Sequence, residues 1–182
     1  MSKTIKITLN NKTISGPSDS HNITSAFSVK KGNTLIINGE GVIDGNSGSI
    51  RNTAILIKGG NVIINGGTFK VGNNVANNAN PCILIYEDGS KLEINGGEFH
   101  AKTNGKKWVP IIDVRNGIKQ NRYNVIIKGG TFYGYNPEQG DDAMIKNFVA
   151  EGYKSEPTDY YIDEKGNKMI IYKVTPINYE QS

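Results

Sequence analysis

An internal repeat of about 30 residues constrains this chain more than any other feature. Asn61-Val62-Ile63-Ile64-Asn65-Gly66-Gly67-Thr68-Phe69 returns as Lys91-Leu92-Glu93-Ile94-Asn95-Gly96-Gly97-Glu98-Phe99 and again as Asn124-Val125-Ile126-Ile127-Lys128-Gly129-Gly130-Thr131-Phe132. A weaker first copy is Thr34-Leu35-Ile36-Ile37-Asn38-Gly39-Glu40-Gly41-Val42. The steps from Asn38 to Asn65, Asn95 and Lys128 are 27, 30 and 33 residues, so the unit is constant while the stretch between units grows. A second strand precedes each copy: Phe27-Ser28-Val29, Ile55-Leu56-Ile57, Ile83-Leu84-Ile85 and Ile112-Asp113-Val114. Each rung therefore reads strand, Gly/Asn turn, strand, Asn-Gly-Gly bend, short strand and variable loop. Three short strands per repeat with no helical periodicity exclude a leucine-rich repeat and the longer four-strand blades of a propeller. The expected fold is all-β, a short single-stranded right-handed parallel β-helix of about four rungs with N- and C-terminal β-hairpin caps.

Alternation along each strand assigns the faces, because neighbouring side chains point opposite ways. Leu35, Val62, Leu92 and Val125 form one inward column, and Ile37, Ile64, Ile94 and Ile127 a second. The third strand adds Val42, Phe69, Phe99 and Phe132. Burying each such side chain stabilises by roughly 1.5–3 kcal/mol. With rungs about 4.8 Å apart, four of them stand only about 20 Å tall.

A coil of this kind has two ends whose unpaired strands invite other chains. Residues 1–20 are expected to form an N-terminal strand or hairpin, a cap or anchor, in which Asn10-Asn11 turns Thr4–Leu9 back on Lys12–Ile14. Residues 21–135 form the β-helix, and residues 136–182 a C-terminal capping segment. That segment holds a hairpin built from Tyr160–Ile162, the turn Asp163–Asn167 and Lys168–Val174. Asp141 to Phe148 reads as one helical turn capped by Asp.

The Asn-Gly-Gly bends, the Asn38, Asn65, Asn95 ladder and the Phe stack resemble the pectate-lyase-like right-handed parallel β-helix superfamily over roughly residues 23–135. Gly129 to Pro137, followed by Asn147 to Lys154, is similar to bacteriophage virion β-helix proteins: head fibres, capsid decorations and tail proteins. The resemblance implies a fold more strongly than a function, because one such coil serves lyases, hydrolases, receptor binders and scaffolds.

Asp141-Asp142 is the one pair of adjacent aspartates, and a glycosidase would need two carboxylates about 5–9.5 Å apart across a sugar, which neighbours in sequence rarely provide; helix capping or a solvated loop is the other reading. Asp113 and Arg115 point outward from one strand, where they could bind a sugar carboxylate or form a surface salt bridge. His21 and His100 are not flanked by glycines, and His100 is expected to be exposed. Trp108, Tyr133 and Tyr135 could stack on sugars or act as lids on the core. The glycine turns follow strands without a helix and are not phosphate loops. No catalytic, cofactor-binding or metal-binding residues are assigned.

The formal charge is +4, but Arg occurs only at Arg51, Arg115 and Arg122 and the lysines form no run, so nucleic acid is not an expected partner. Cys82 is alone and no internal disulfide can form, so the fold must be held by packing. The start Met1-Ser2-Lys3-Thr4-Ile5-Lys6 lacks the apolar run of a signal peptide, and no stretch of 18 apolar residues exists, so neither secretion nor a membrane partner is expected. The outward slots are more telling. Ile36, Ile63 and Ile126, with Glu93 among them, face out from the second sheet, and Leu56 and Leu84 from the first. Either these apolar columns are an inter-subunit or capsid interface, or the loops Gly72 to Pro81 and Lys102 to Pro110 fold over them. The resulting expectation is a non-enzymatic virion subunit of the head-fibre or decoration kind, a homo-oligomer (dimer or trimer) bound to virion proteins such as capsid. It would be assembled in the host cytoplasm and could touch a host surface glycan. A carbohydrate-binding or polysaccharide-degrading tailspike-type β-helix is the alternative.

Overall fold

The computed structural model describes residues 1–18, 23–46, 51–72, 80–100, 110–141, 143 and 146–178. The repeats coil into a nearly all-β parallel solenoid of about four turns. In chain order the strands are β1 Thr4–Thr8, β2 Thr13–Ser15, β3 Ile23–Lys30, β4 Thr34–Asn38, β5 Val42–Asp44, β6 Arg51–Lys58, β7 Asn61–Ile64 and β8 Thr68–Lys70. They continue as β9 Ile83–Glu87, β10 Lys91–Ile94, β11 Glu98–His100, β12 Ile112–Val114, β13 Asn124–Ile127, β14 Thr131–Tyr133, β15 Tyr153–Ile162 and β16 Lys168–Pro176. The first sheet stacks β3-β6-β9-β12, the second β1-β4-β7-β10-β13, and the third β2-β5-β8-β11-β14 with β16 and β15 added beyond.

Register places like residue on like. Leu35, Val62, Leu92 and Val125 lie side by side and are buried, as are Ile37, Ile64, Ile94 and Ile127. Phe69, Phe99 and Phe132 stack with centroids 4.9 Å apart, the spacing the backbone ladder imposes. The third column begins with Ile43, not Val42: Ile43 pairs with Phe69 and is fully buried, whereas Val42 pairs with Thr68 and is half-buried. The bend Gly39-Glu40-Gly41 is one residue longer than the later Gly-Gly bends, and a one-residue slip exchanges the faces of a strand. The later bends require glycine. At Gly97 the backbone is left-handed (φ +103) and a Cβ would lie 2.9 Å from the Gly67 carbonyl oxygen of the turn above.

The N-terminal strands do not form the expected hairpin. β1 runs parallel to β4 and β2 parallel to β5, so they continue the coil as part of a further turn. Asn10 and Asn11 do turn the chain in left-handed conformations (φ 48° and 58°), but at a corner of the solenoid. The waiting edges of β4 and β5 outcompete a two-stranded pairing, and Leu9 is drawn inside, only 2% exposed. The C-terminal hairpin forms as expected: β16 lies antiparallel on β14, and β15 on β16. Asp163 organises its turn, its carboxylate accepting from the backbone of Lys165 and Asn167 at 2.9 and 2.8 Å.

No helix forms among the described residues from Asp141 to Phe148; Asp142, Met144 and Ile145 lie outside them. The end of that stretch is extended instead. Phe148 is buried edge-on to Tyr123, and Val149 bridges Ile127, whose amide donates to the Phe148 carbonyl at 2.9 Å. The free edge of β13 thus takes up Phe148 and Val149, at and just past the end of the stretch that reads as a helical turn.

Candidate functional site

The outward slots of the second sheet form one ladder of Lys6, Ile36, Ile63, Glu93 and Ile126, each beside the next. Ile36, Ile63 and Ile126 are half-buried on an otherwise open face. Glu93 interrupts them and is paired with the Lys128 ammonium at 3.2 Å. Beside this column runs the asparagine ladder, in which Asn65 Nδ2 donates to Asn38 Oδ1 at 2.8 Å and Asn95 Nδ2 to Asn65 Oδ1 at 2.9 Å. It lies on the outside of the coil, where it borders the isoleucines with polar groups. Apolar residues within a polar border are the anatomy of a protein interface.

The first sheet behaves differently. Leu56 and Leu84 occupy outward slots beside one another, yet they are 5% and 0% exposed. The chain covers them itself, so the expectation that they meet another subunit is corrected: at Leu56 and Leu84 this sheet is buried on both faces, although Ser28 beside them on β3 is exposed. The loops suggested as their cover fall largely outside the described residues.

Asp113 extends the same covered column and is buried, while Arg115, just past β12, is exposed with its guanidinium 4.5 Å from the Tyr86 ring centre. One member is enclosed and the other open, so the structure does not bring them to one ligand. Asp141 is also buried, its Oδ1 accepting from the Ala143 amide at 3.2 Å. Tyr135 is a lid, fully buried and tilted on Phe132, with its hydroxyl donating to the Gly140 carbonyl at 2.5 Å. His21 and Trp108 lie outside the described residues.

Two ladders escaped the sequence reading. On the outside of the third sheet, Asp44, Lys70, His100 and Tyr133 stand in register from four successive turns. Lys70 pairs with Asp44 at 3.6 Å, the His100 ring stacks on Tyr133 at 4.0 Å, and His100 Nε2 lies 3.5 Å from Glu98. His100 is half-buried, not exposed, and burial pushes its imidazole below the ordinary value despite Glu98. Burial likewise raises the Tyr133 phenol. The second ladder is internal: Thr24 Oγ1 donates to Asn52 Oδ1 and the Asn52 backbone N–H to Asn80 Oδ1, each at 3.3 Å, all three residues being buried. Its signal was present, since Thr24, Asn52 and Asn80 each stand three residues before Phe27, Ile55 and Ile83.

Among the described residues no group of three or more His, Cys, Asp or Glu is placed to hold a metal ion, and no helix is long and apolar enough to cross a membrane. No protein-family model, no curated protein and no solved structure matches the chain.

Proposed function

We propose that this protein is a non-enzymatic structural subunit of a bacteriophage virion, a short rod of the head-fibre or capsid-decoration kind that docks through the outer face of its second sheet. The virion setting rests on the sequence resemblance of the C-terminal stretch. The docking role rests on one structural contrast. The chain covers the outward Leu56 and Leu84 of its first sheet but leaves Ile36, Ile63 and Ile126 on an open face. A monomer able to cover one apolar column with its own residues leaves the other free for a partner, here a second or third copy or a capsid protein. The test is Ile63→Lys with mass measured in solution by light scattering. The wild type is expected as a dimer or trimer and the variant as a folded monomer; a folded variant of unchanged mass would refute the docking face.

A second reading has its own observation. The His100–Tyr133 stack, bordered by Lys70, Asp44 and Glu98, offers an aromatic face and polar groups to a saccharide. A shallow groove of about 510 Å³ along the stacked bends reaches Glu98. Glycan-array binding that is lost in Tyr133→Ala would favour this attachment role, and an array showing no binding by the wild type would remove it.

A further inference from the structure

The two ends of the solenoid are finished differently. At the C-terminal end β16 covers β14, Val149 occupies the edge of β13, and Tyr135 and Phe148 close the core. At the N-terminal end β1, β2 and β3 are the last strands of their sheets, so three outer edges present backbone N–H and C=O groups without a neighbouring strand among the described residues. The apolar columns terminate there too. Ile5, in register with Leu35, is 56% exposed, and Ile7, Ile14 and Phe27 are half-buried; one turn deeper Ile37, Ile43 and Ile55 are completely enclosed.

Charge is concentrated at the same end. The first 33 residues hold five lysines and one acid, Asp19, and the remainder of the chain carries sixteen residues of each sign, so the whole net charge of +4 resides in the first turn. Lys3, Lys6, Lys12, Lys30 and Lys31 are all exposed. Lysines scattered along the sequence are thus gathered in space by the coil.

We propose that this open end accepts a β-strand from an acidic partner protein, which extends the solenoid by pairing with β1, β2 or β3. Its apolar side chains would lie on the column end beside the edge it joins, Ile5 and Ile7 at β1, Ile14 at β2 or Phe27 at β3, and its alternate Asp or Glu side chains among the lysines. A second copy presenting the same end is disfavoured, because it would bring lysines against lysines, the device by which sheet edges resist their own kind. A nucleic acid would meet the charge but leave the strand edges and the apolar column ends uncovered. An acidic strand satisfies all three features together.

The probe is a capped peptide of about ten residues alternating glutamate and valine, titrated into the full chain by fluorescence anisotropy. It is expected to bind saturably, more weakly as salt rises, with the amides of β1 to β3 gaining hydrogen-exchange protection. The double variant Lys6→Glu, Lys12→Glu should bind it about tenfold less tightly. Lys168→Glu, on the C-terminal hairpin, and Ile63→Lys, on the second-sheet face, should bind as the wild type does, which separates this site from the docking face. Equal binding of a lysine–valine peptide, tighter binding of oligothymidylate at the same end, or no saturable binding of the acidic peptide would each overturn the proposal. So would a wild-type dimer that Ile5→Lys dissolves.

Discussion

Cys82 illustrates what the coil does to a single side chain. It is wholly buried where the chain enters β9, its Sγ donating to the carbonyls of Phe69 at 3.6 Å and His100 at 3.2 Å. Burial, with a smaller contribution from the Asp44 carboxylate, pushes the thiol up to about 12 from 9.0. In the unfolded chain the thiol ionises near its ordinary value, so from pH 9.0 upward the unfolded state sheds a proton that the folded state keeps. The thiol's contribution to stability is constant below that pH and falls as pH rises toward 12. Tyr123 and Tyr161, each raised by burial from 10.0 to about 12, add to the loss in the same direction. The urea midpoint is therefore expected to hold steady to about pH 9 and then decline, and to decline less steeply in Cys82→Ala. Equal slopes in the two proteins would show that the thiol is not among the groups responsible. The sequence shows that this cysteine has no disulfide partner; only the packing shows that its thiolate is suppressed.

At the scale of elements, the repeat strands and the two segments outside them obey different rules. Within the repeats, apolar alternation and the Gly bends already agree with the tertiary arrangement, so strand positions, registers and the Phe stack were legible. At the edges they were not. Asn10-Asn11 suits a hairpin turn and a solenoid corner equally, since both need left-handed backbone, and of the Asp141 to Phe148 stretch that reads as a helical turn only the end is seen on the edge of β13, while Asp142, Met144 and Ile145 lie outside the described residues. The C-terminal hairpin was legible because Asp163 to Asn167 closes a turn by local hydrogen bonds that need no distant partner. Its role is to cover β14 and to seat Met169 and Val174, each 3% exposed. Deleting residues 151–178 bares that edge, and the truncated chain is expected to elute from size exclusion as aggregate with a lowered thermal midpoint. A monodisperse truncation with an unchanged midpoint would show that the cap is dispensable.

For the whole molecule, the period near 30 and the alternation within it determined the solenoid, its three sheets and nearly all of its core, because each rung supplies only local strand and bend preferences that neighbouring rungs repeat. The structure decided what depends on comparing distant parts of the chain. A single extra residue in one bend put Ile43 in the core in place of Val42, a choice settled by pairing with Phe69. The outward leucines and isoleucines look alike in sequence, yet Leu56 and Leu84 are enclosed while Ile36, Ile63 and Ile126 stay on an open face. Lysines that form no run in sequence converge on one end because successive strands of the first turn share it. Burial, free edges and charge density are properties of surfaces, and the surfaces exist only once the rungs have stacked.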